Sequence, residues 1–279
     1  MLLALGGNVL WHLGSYPEAN QLLLEALALA EDSGDAVAKA RALHGLANID
    51  LYRGAAAEAE KRFAESLQLR RQSGDELGVA NSLNNLGIVA ANAGRGQEAE
   101  DLFRQSLAIR RRLGDVSGVA VALNNLGFMA AEDGKLDEAK RMFEQSLTLR
   151  REIGDELGNA VCLNNLADVA RRQDDPAAAR RLYRESLELS HRIGNKREAA
   201  TALVGLAATA EADESAMRLA TYAESLMASL GASLDKEVKT TLDQVISTTS
   251  LHLGEDALKA ARTTAERLAF EQMASTALS

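Results

Sequence analysis

The chain has 279 residues, of which 47% are hydrophobic and 25% are charged, and its formal net charge is −9. This composition is typical of a folded protein and excludes a disordered one, which would carry fewer apolar residues. The surplus of negative charge disfavours a nucleic-acid partner, because phosphate binding needs a positive field over the contact surface. Aromatic residues make up only 4% of the chain and prolines number two, so we expect closely packed helices with a core of leucine and alanine, which excludes an all-β fold.

The residues that form metal sites and disulfides are scarce. Cys162 is the single cysteine, which excludes an internal disulfide and a cysteine-based zinc site. The four histidines have no paired spacing, so we expect no metal and no cofactor. No apolar run approaches the roughly 20 residues of a membrane span. The first residues, MLLALGGNVLWHLGS, lack the basic flank and cleavage site of a secretory signal, so we expect a cytoplasmic protein with no membrane partner.

A repeat of 40 residues runs through most of the chain. Five leucines fall in register at this spacing: Leu43, Leu83, Leu123, Leu163 and Leu203. A glycine followed by a short polar residue punctuates the units: Gly34-Asp35, Gly74-Asp75, Gly114-Asp115, Gly154-Asp155 and Gly194-Asn195. Self-similarity at a period of about 20 to 50 residues is typical of stacked supersecondary units.

Each unit is predicted to form two helices, and the third unit illustrates the pattern. Asp75 is a suitable N-cap, and apolar residues then recur at helical spacing up to a tight turn at Gly94. The second helix is expected from about Gln97 to Arg112. Gly114 is expected to end it in the left-handed conformation of a helix C-cap.

The repeated pattern L-N-N-L-G, then G, then E-A, then F or Y resembles the tetratricopeptide repeat family in a 40-residue form. One unit reads NSLNNLGIVAANAGRGQEAEDLFRQSLAIRRRLGD. The resemblance covers residues 1–231 as six units, of which the first is truncated at Met1 and the last is three residues short. It implies an all-α fold, a right-handed superhelical solenoid of antiparallel helix pairs whose first helices line a concave groove.

Residues 232–279 leave the repeat and are expected to form capping helices over the open end of the solenoid. Apolar residues at helical spacing predict one helix that ends near Gly254, with a further helix or two after it: Leu234, Val238, Leu242, Val245 and Ile246. Through Leu253-Gly254-Glu255 and the final apolar helix, this segment also resembles the tail that closes repeat arrays in bacterial STAND-type ATPases and transcriptional regulators. That resemblance implies that the chain is the C-terminal sensor region of such a regulator.

The sequence contains no recognisable catalytic motif. It has no Walker A motif, no H-E-x-x-H pair and no G-x-S-x-G turn. Cys162 precedes an expected core residue, Leu163, and is interpreted as a small core residue rather than a nucleophile. The acid pairs Glu31-Asp32 and Asp174-Asp175 are interpreted as helix caps and solvated charge. We therefore expect no enzyme activity.

Each first helix has a buried apolar stripe, and the candidate binding residues are the positions outside this stripe. We expect them to face the groove and hold a peptide. They are His44, Asn48, Tyr52, Asn81, Asn84, Ile88, Asn92, Asn124, Phe128, Glu132, Asn164, Asp168, Arg171 and Arg172. An amide can both donate to and accept from a peptide backbone, so one asparagine per unit (Asn84, Asn124, Asn164) would orient the ligand. The exposed apolar side chains would select ligand side chains: Tyr52, Ile88 and Phe128.

The alternative is that the adjacent asparagines bridge neighbouring repeats instead of binding a ligand. These pairs are Asn84-Asn85, Asn124-Asn125 and Asn164-Asn165. We favour a binding role for the first asparagine of each pair and a structural role for the second.

Arginines recur near the end of the second helices: Arg70-Arg71, Arg110-Arg111-Arg112, Arg150-Arg151 and Arg192. This arginine stripe could attract acidic partners or nucleic acid, although aromatic residues that would stack on bases are lacking beside it. The favoured interpretation is that the stripe satisfies helix C-termini and pairs with acids such as Glu76 and Glu156.

The sequence thus predicts a protein-interaction module that binds a peptide or a partner helix in the groove of units two to five. The alternative is the regulatory sensor arm of a bacterial signalling ATPase or transcriptional regulator, which binds an inducer or its own switch module. A third hypothesis is self-association, since the truncated first unit would expose Leu2, Leu3 and Leu5.

Overall fold

The computed structural model describes residues 2–12, 15–211, 213–230, 234 and 236–278, and these residues form fifteen α-helices and no β-strand. The helices are α1 (Leu2–His12), α2 (Tyr16–Ser33), α3 (Ala36–Tyr52), α4 (Ala56–Ser73), α5 (Glu76–Asn92), α6 (Gly96–Leu113), α7 (Val116–Glu132), α8 (Leu136–Glu152), α9 (Glu156–Arg172), α10 (Pro176–Arg192), α11 (Lys196–Ala208), α12 (Glu214–Ser229), α13 (Lys236–Leu253), α14 (Glu255–Ala265) and α15 (Phe270–Leu278). The predicted all-α fold is confirmed.

The chain divides into two compact bodies, an N-terminal body (Met1–Met129) and a C-terminal body (Ala130–Ser279). In the N-terminal body α1 packs on α2, α3 on α4 and α5 on α6, and α2 and α4 each also contact the helix that follows. In the C-terminal body α8, α9, α10, α11 and α12 pack in the same consecutive way. The odd-numbered helices α1 to α11 are the first helices of the six units and are called leading helices below.

Repeated caps begin and end the helices where the sequence predicts. The carboxylates of Asp35, Asp75 and Asp155 each accept a hydrogen bond of 2.9 Å from the backbone N–H three residues later. At the other end, Gly74 and Gly114 adopt positive φ angles of 70° and 68°, which only glycine takes without strain. The second helix of the third unit spans Gly96–Leu113, within one residue of the expected bounds at each end.

The second helices of units two to five each bury one ring at the same position, and glycines make room for two of these rings. Phe63, Phe103, Phe143 and Tyr183 lie 40 residues apart and are all at most 4% exposed. A Cβ atom at Gly87 of α5 would lie 2.6 Å from Phe103 Cε1, so only glycine permits this approach of the two helices. A buried serine one turn further on, Ser106, donates to the carbonyl of Ala80 at 2.8 Å and joins the same helix pair.

The C-terminal helices α13 to α15 cover the apolar face of α10, α11 and α12. Their buried side chains Leu242, Ala265 and Met273 belong to the core cluster of these helices. The five residues that predicted the first of these helices all contact the cluster: Leu234, Val238, Leu242, Val245 and Ile246. The helix ends at Leu253 and two further helices follow, as expected. The predicted boundary at residues 231 and 232 lies outside the described residues and stays a prediction.

At the start of the chain we expect the side chains of Leu2, Leu3 and Leu5 to be exposed, and the structure differs from this expectation at one of them. Leu2 and Leu5 are 80% and 45% exposed. Leu3 is half-buried, because it packs against the core that Ala4, Ala19 and Leu23 form. The expected exposure of Leu3 is therefore wrong, and self-association through this end stays a prediction that rests on Leu2 and Leu5.

Candidate functional site

The fourteen candidate residues lie on the leading helices α3, α5, α7 and α9, and the positions that they occupy on these helices are together called the leading-helix surface. On α3, His44, Asn48 and Tyr52 follow one another at intervals of four residues, so they lie on one side of the helix. The same spacing places Asn84, Ile88 and Asn92 on one side of α5, and Asn124 and Phe128 on one side of α7.

In the N-terminal body, side-chain amides connect α3, α5 and α7 through hydrogen bonds. Asn85 Nδ2 donates to Asn48 Oδ1 at 3.0 Å and contacts His44 Nε2 at 3.3 Å. Asn125 Nδ2 donates to Asn84 Oδ1 at 2.9 Å, and Asn84 Nδ2 donates to Asn85 Oδ1 at 3.4 Å. Asn85 and Asn125 therefore bridge neighbouring repeats, which is the role that we predict for the second asparagine of each pair.

Asn84, which we expected to bind a ligand, is buried within these amide bonds and only 6% exposed. Asn124 is half-buried on α7, and Asn92 is exposed at the end of α5. Asn81 is half-buried and accepts a hydrogen bond of 2.6 Å from Arg110 Nη2, a guanidinium of the neighbouring α6. Asn81 and Asn84 therefore already use hydrogen-bonding capacity within the array, and a binding role for them stays a prediction.

His44 occupies the position that asparagine fills in units three to five. Burial, with a smaller contribution from the positive charge of Arg70, lowers its pKa from 6.5 to about 3. Its Nε2 can therefore accept from Asn85 Nδ2, while its Nδ1 is buried without a hydrogen-bond partner among the described residues. His44 is a neutral member of the amide network near pH 7.

Two aromatic side chains of the leading-helix surface are exposed. Phe128, in α7, is 45% exposed, and Tyr52, at the end of α3, is 62% exposed. Tyr52 packs against two other rings, with centroid distances of 4.3 Å to Tyr16 and 5.7 Å to Trp11. Ile88 of α5 is half-buried. The N-terminal body thus offers apolar contact area on three leading helices.

In the C-terminal body, Asn164 is 4% exposed and is bonded to the next leading helix. Its Nδ2 donates to the carbonyl oxygen of Glu198 at 3.2 Å and to Glu198 Oε2 at 3.0 Å. Its Oδ1 is buried without a hydrogen-bond partner among the described residues. The residue equivalent to Asn125 in the sixth unit is Gly205, which has no side chain that could donate to Asn164 Oδ1. The ring of Tyr183 fills the space that a side chain at position 205 would need.

The charged candidates of the C-terminal body form one cluster on α7, α9 and α13. Arg171 pairs with Asp168, and Arg172 Nη2 donates to the carbonyl of Ala131 at 2.6 Å. Arg172 also lies 3.9 Å from both Asp168 and Glu237. Partial burial raises the pKa of Glu237, and the nearby carboxylates of Asp168 and of the exposed Glu132 raise it further.

Glu237 is a member of this cluster that the sequence interpretation missed. It lies in the first turn of α13, in the segment that we had assigned only to capping. Its side chain, 49% exposed, brings a third carboxylate to the two arginines. No sequence signal marks it, because the 40-residue register does not extend into this segment.

Most arginines of the stripe are engaged within the protein. Arg110 is 7% exposed, and its Nη1 donates to Asp115 Oδ2 at 2.5 Å. Arg112 pairs with Glu76, and Arg192 pairs with Glu156, both at 2.8 Å. These pairings agree with the favoured interpretation of the stripe.

Cys162 lies in the core with 0% exposure, and its Sγ donates to Ser146 Oγ at 3.2 Å. Burial raises the pKa of this thiol, which favours the unreactive protonated form. Among the described residues, no group of three or more histidine, cysteine or acidic side chains is placed to hold a metal ion. Within the same residues, no helix has both the length and the apolar character needed to cross a bilayer.

The family model described as tetratricopeptide repeat matches residues 4–72, 39–112, 76–152, 118–192 and 159–216. The chain belongs to the tetratricopeptide repeat family. Members of this family act as protein-interaction scaffolds, and their fold is generally non-catalytic. A search of curated proteins gives no match.

Several solved structures share the fold of this tetratricopeptide repeat chain. The apo form of RapI is 14% identical, with a TM-score of 0.73, and the match covers 95% of this chain and 97% of RapI. A Rap protein complexed with competence and sporulation factor is 12% identical, with a TM-score of 0.69, over 94% of this chain and 74% of that chain. A STAND protein with a tetratricopeptide repeat sensor from Pyrococcus horikoshii is 16% identical, with a TM-score of 0.66, over 94% of this chain and 44% of that one. At these identities the likeness concerns the fold alone.

Proposed function

We propose that the leading-helix surface of units two to five binds a peptide or a partner helix. The observation that carries this proposal is the exposure of Phe128, which is 45% solvent-accessible in the middle of a leading helix. An aromatic side chain held on a rigid helix gives a large contact area at little cost in conformational entropy, and such residues dominate the energy of protein interfaces.

Other residues of the leading-helix surface offer both apolar and polar contacts. Ile88 of α5, at the position equivalent to Phe128, is half-buried, and Tyr52 is exposed at the end of α3. Asn92 is exposed and Asn124 is half-buried, and both present amides. We propose that apolar contacts supply most of the affinity and that amides fix the direction of the ligand backbone.

Asn84 and Asn164 would belong to the floor of this site. Each is already bonded within the array, Asn84 to Asn125 and Asn164 to Glu198. A ligand that pairs with either amide has to replace one of these hydrogen bonds, which lowers the net gain. We therefore propose that Asn124 contributes more to ligand orientation than Asn84 or Asn164 does.

In the C-terminal body we propose that Glu132, Asp168, Arg171 and Arg172 contact polar groups of the ligand. The cluster holds carboxylates and guanidiniums together, and Glu237 approaches Arg172. Charges of both signs select for a ligand with a matching charge pattern rather than for one sign of charge.

The test is selection of peptides from a phage-displayed library on the full chain, followed by fluorescence anisotropy with the selected peptides. Phe128→Ala should weaken binding by about tenfold or more, equivalent to about 1.4 kcal/mol. The matched control is Leu77→Ala, because Leu77 is 47% exposed in the first turn of α5 but is not a candidate residue. Equal affinities of both variants, or a selection without enrichment, would contradict the proposal.

A second candidate function is a regulatory sensor arm. The Pyrococcus horikoshii STAND protein favours it, because the likeness spans 94% of this chain but only 44% of that longer chain, which carries a tetratricopeptide repeat sensor. In this case the ligand would be an inducer or a switch module of the same polypeptide. A nucleotide-binding region encoded immediately upstream in the same gene would support the sensor arm, and its absence would favour a stand-alone interaction module.

A further inference from the structure

A cavity of about 510 Å³ lies in the C-terminal body, and none of the fourteen candidate residues lines it. Its walls come from the first half of α10, the segment between α11 and α12, the first half of α12 and the end of α15. Three arginines line it, Arg180, Arg184 and Arg218, together with apolar and hydroxyl groups that include Leu206, Leu219, Tyr222 and Thr276. This volume is within the range of small-molecule sites.

The cavity lies beside the shortened end of α11. The leading helices α3, α5, α7 and α9 each have 17 residues, whereas α11 has 13 and ends at Ala208. The sixth unit therefore lacks about one helical turn, which is 5.4 Å of helix length. Leu206, Ala210 and Glu211, at and after this end, line the cavity, and α15 closes another side through Thr276 and Ala277.

Two of the three guanidiniums have no ion pair or hydrogen bond among the described residues. Arg180 Nη2 donates to the carbonyl of Thr209, at the end of α11. Arg184 and Arg218 are exposed and have no ion pair in the part of the chain that the structure describes. Other arginines of the same body are paired with carboxylates, as Arg192 is with Glu156. The unpaired guanidiniums are therefore available to a ligand.

The carboxylates of the cavity only partly offset this positive charge. Asp213 is the N-cap of α12, and its Oδ1 accepts from the backbone N–H groups of Ser215 at 2.8 Å and Ala216 at 3.1 Å. Glu211 is exposed beside it. Three guanidiniums against two carboxylates make a locally positive site on a chain whose net charge is −9.

We propose that this cavity binds a small organic anion that carries a phosphate or several carboxylates next to an apolar group. Guanidinium groups form paired, parallel hydrogen bonds with the oxygens of carboxylates and phosphates. Arg184 and Arg218 would hold the anionic end, and Leu206, Leu219 and Tyr222 would contact the apolar part. The site is independent of the leading-helix surface, so it is a second binding function of the chain.

Isothermal titration of the full chain tests the proposal with four probes: phenyl phosphate, inorganic phosphate, citrate and phenol. We expect saturable binding of phenyl phosphate, weaker binding of inorganic phosphate and none of phenol. Binding of citrate in place of phenyl phosphate would assign the site to carboxylates rather than to phosphate esters. The affinity should fall with added salt, because the charges are partly exposed.

The variant is the double substitution Arg184→Gln and Arg218→Gln, which should lower the affinity for the bound anion about tenfold or more. The matched control is Arg141→Gln with Arg181→Gln. These two arginines are exposed on α8 and α10 and do not line the cavity, and their substitution removes the same amount of charge. Circular dichroism verifies that both variants keep their helicity. Equal losses in the two variants, or no saturable binding of any anion, would overturn the proposal.

Discussion

His44 shows how one substitution within a repeat creates a pH-sensitive position. Its ring takes the place that Asn84, Asn124 and Asn164 hold in the next units, and burial lowers its pKa from 6.5 to about 3. The folded state therefore leaves His44 neutral in a pH range where the unfolded chain binds a proton. Above about pH 6.5 both states are neutral and His44 has no pH-dependent effect.

We predict that His44→Asn makes the free energy of unfolding less dependent on pH. In the wild type this free energy should decrease between about pH 6.5 and pH 3, with a slope of up to about 1.4 kcal/mol per pH unit from His44 alone. Urea unfolding followed by circular dichroism, at intervals from about pH 4.5 to pH 8, measures the slope. The free energies of unfolding of the wild type and of the variant should depend on pH in the same way above about pH 6.5 and should diverge below it. Parallel curves over the whole range would show that His44 has the same pKa in the folded and unfolded states, which would contradict the lowered pKa.

The arginine at position 110 shows why residue type alone does not give a residue's role. Its position in the last helical turn predicted a cation that suits the negative end of the helix dipole and pairs with an acid of a neighbouring unit. The structure provides that acid, Asp115, and it also buries Arg110 between units, where Arg110 contacts Asn81 as well. A Cβ atom at Gly118 would overlap Arg110 Nη1, so the glycine makes room for the guanidinium. This fit depends on the neighbouring unit, which a single helix pattern does not contain.

At the scale of elements, α13 to α15 cover the apolar surface of the last repeats. Leu242 of α13 is 4% exposed and belongs to the core cluster of α11 and α12. Leu251, in the same helix, is 85% exposed. The two leucines therefore separate the effect of lost packing from the effect of a changed helix propensity.

We predict that Leu242→Ala lowers the stability of the C-terminal body by about 2 to 4 kcal/mol, because it leaves a cavity in a packed core. Leu251→Ala should change stability by less than about 0.5 kcal/mol. Hydrogen exchange is the suitable measurement, since repeat proteins can unfold in parts. Faster exchange in α11 and α12 of the Leu242 variant would confirm that α13 protects them. Unchanged exchange there would contradict a capping role.

At the scale of the whole molecule, the charges are distributed so that many of the cations are neutralised locally. Arg112 pairs with Glu76, Arg151 with Glu185 and Arg192 with Glu156, at distances from 2.7 to 2.8 Å. Exposed pairs of this kind add little stability, but they cancel the field that a row of arginines would produce.

We predict that the chain passes through a heparin column at about 0.15 M salt, where the Debye length is about 8 Å. The double variant Glu76→Gln and Glu156→Gln leaves Arg112 and Arg192 unpaired, so its elution should shift to higher salt. Retention of the wild type under the same conditions would contradict the neutralisation of the arginine stripe and would reopen a nucleic-acid role.

The sequence by itself determined the helix pairs and most of their bounds. Glycines in the turns and aspartates at the starts of the leading helices act through the local backbone, so their 40-residue register is enough to place most of the helices from α3 to α10. The apolar residues of the C-terminal segment likewise predicted α13 with an end near Gly254, and the helix ends at Leu253. These features depend on contacts within one or two turns of chain, which a linear pattern contains.

Only the tertiary structure decided how the polar side chains of the candidate surface are used. Asn84 and Asn164 share a register position, yet Asn84 Oδ1 accepts from Asn125 while Asn164 Oδ1 has no partner among the described residues, because position 205 is glycine. The approach of Glu237 to Arg172 and the arginine cavity beside α11 likewise bring together residues far apart in the chain. Such contacts depend on the packing of successive units, because a hydrogen bond or an ion pair needs two groups within about 3 to 4 Å whatever their separation in sequence.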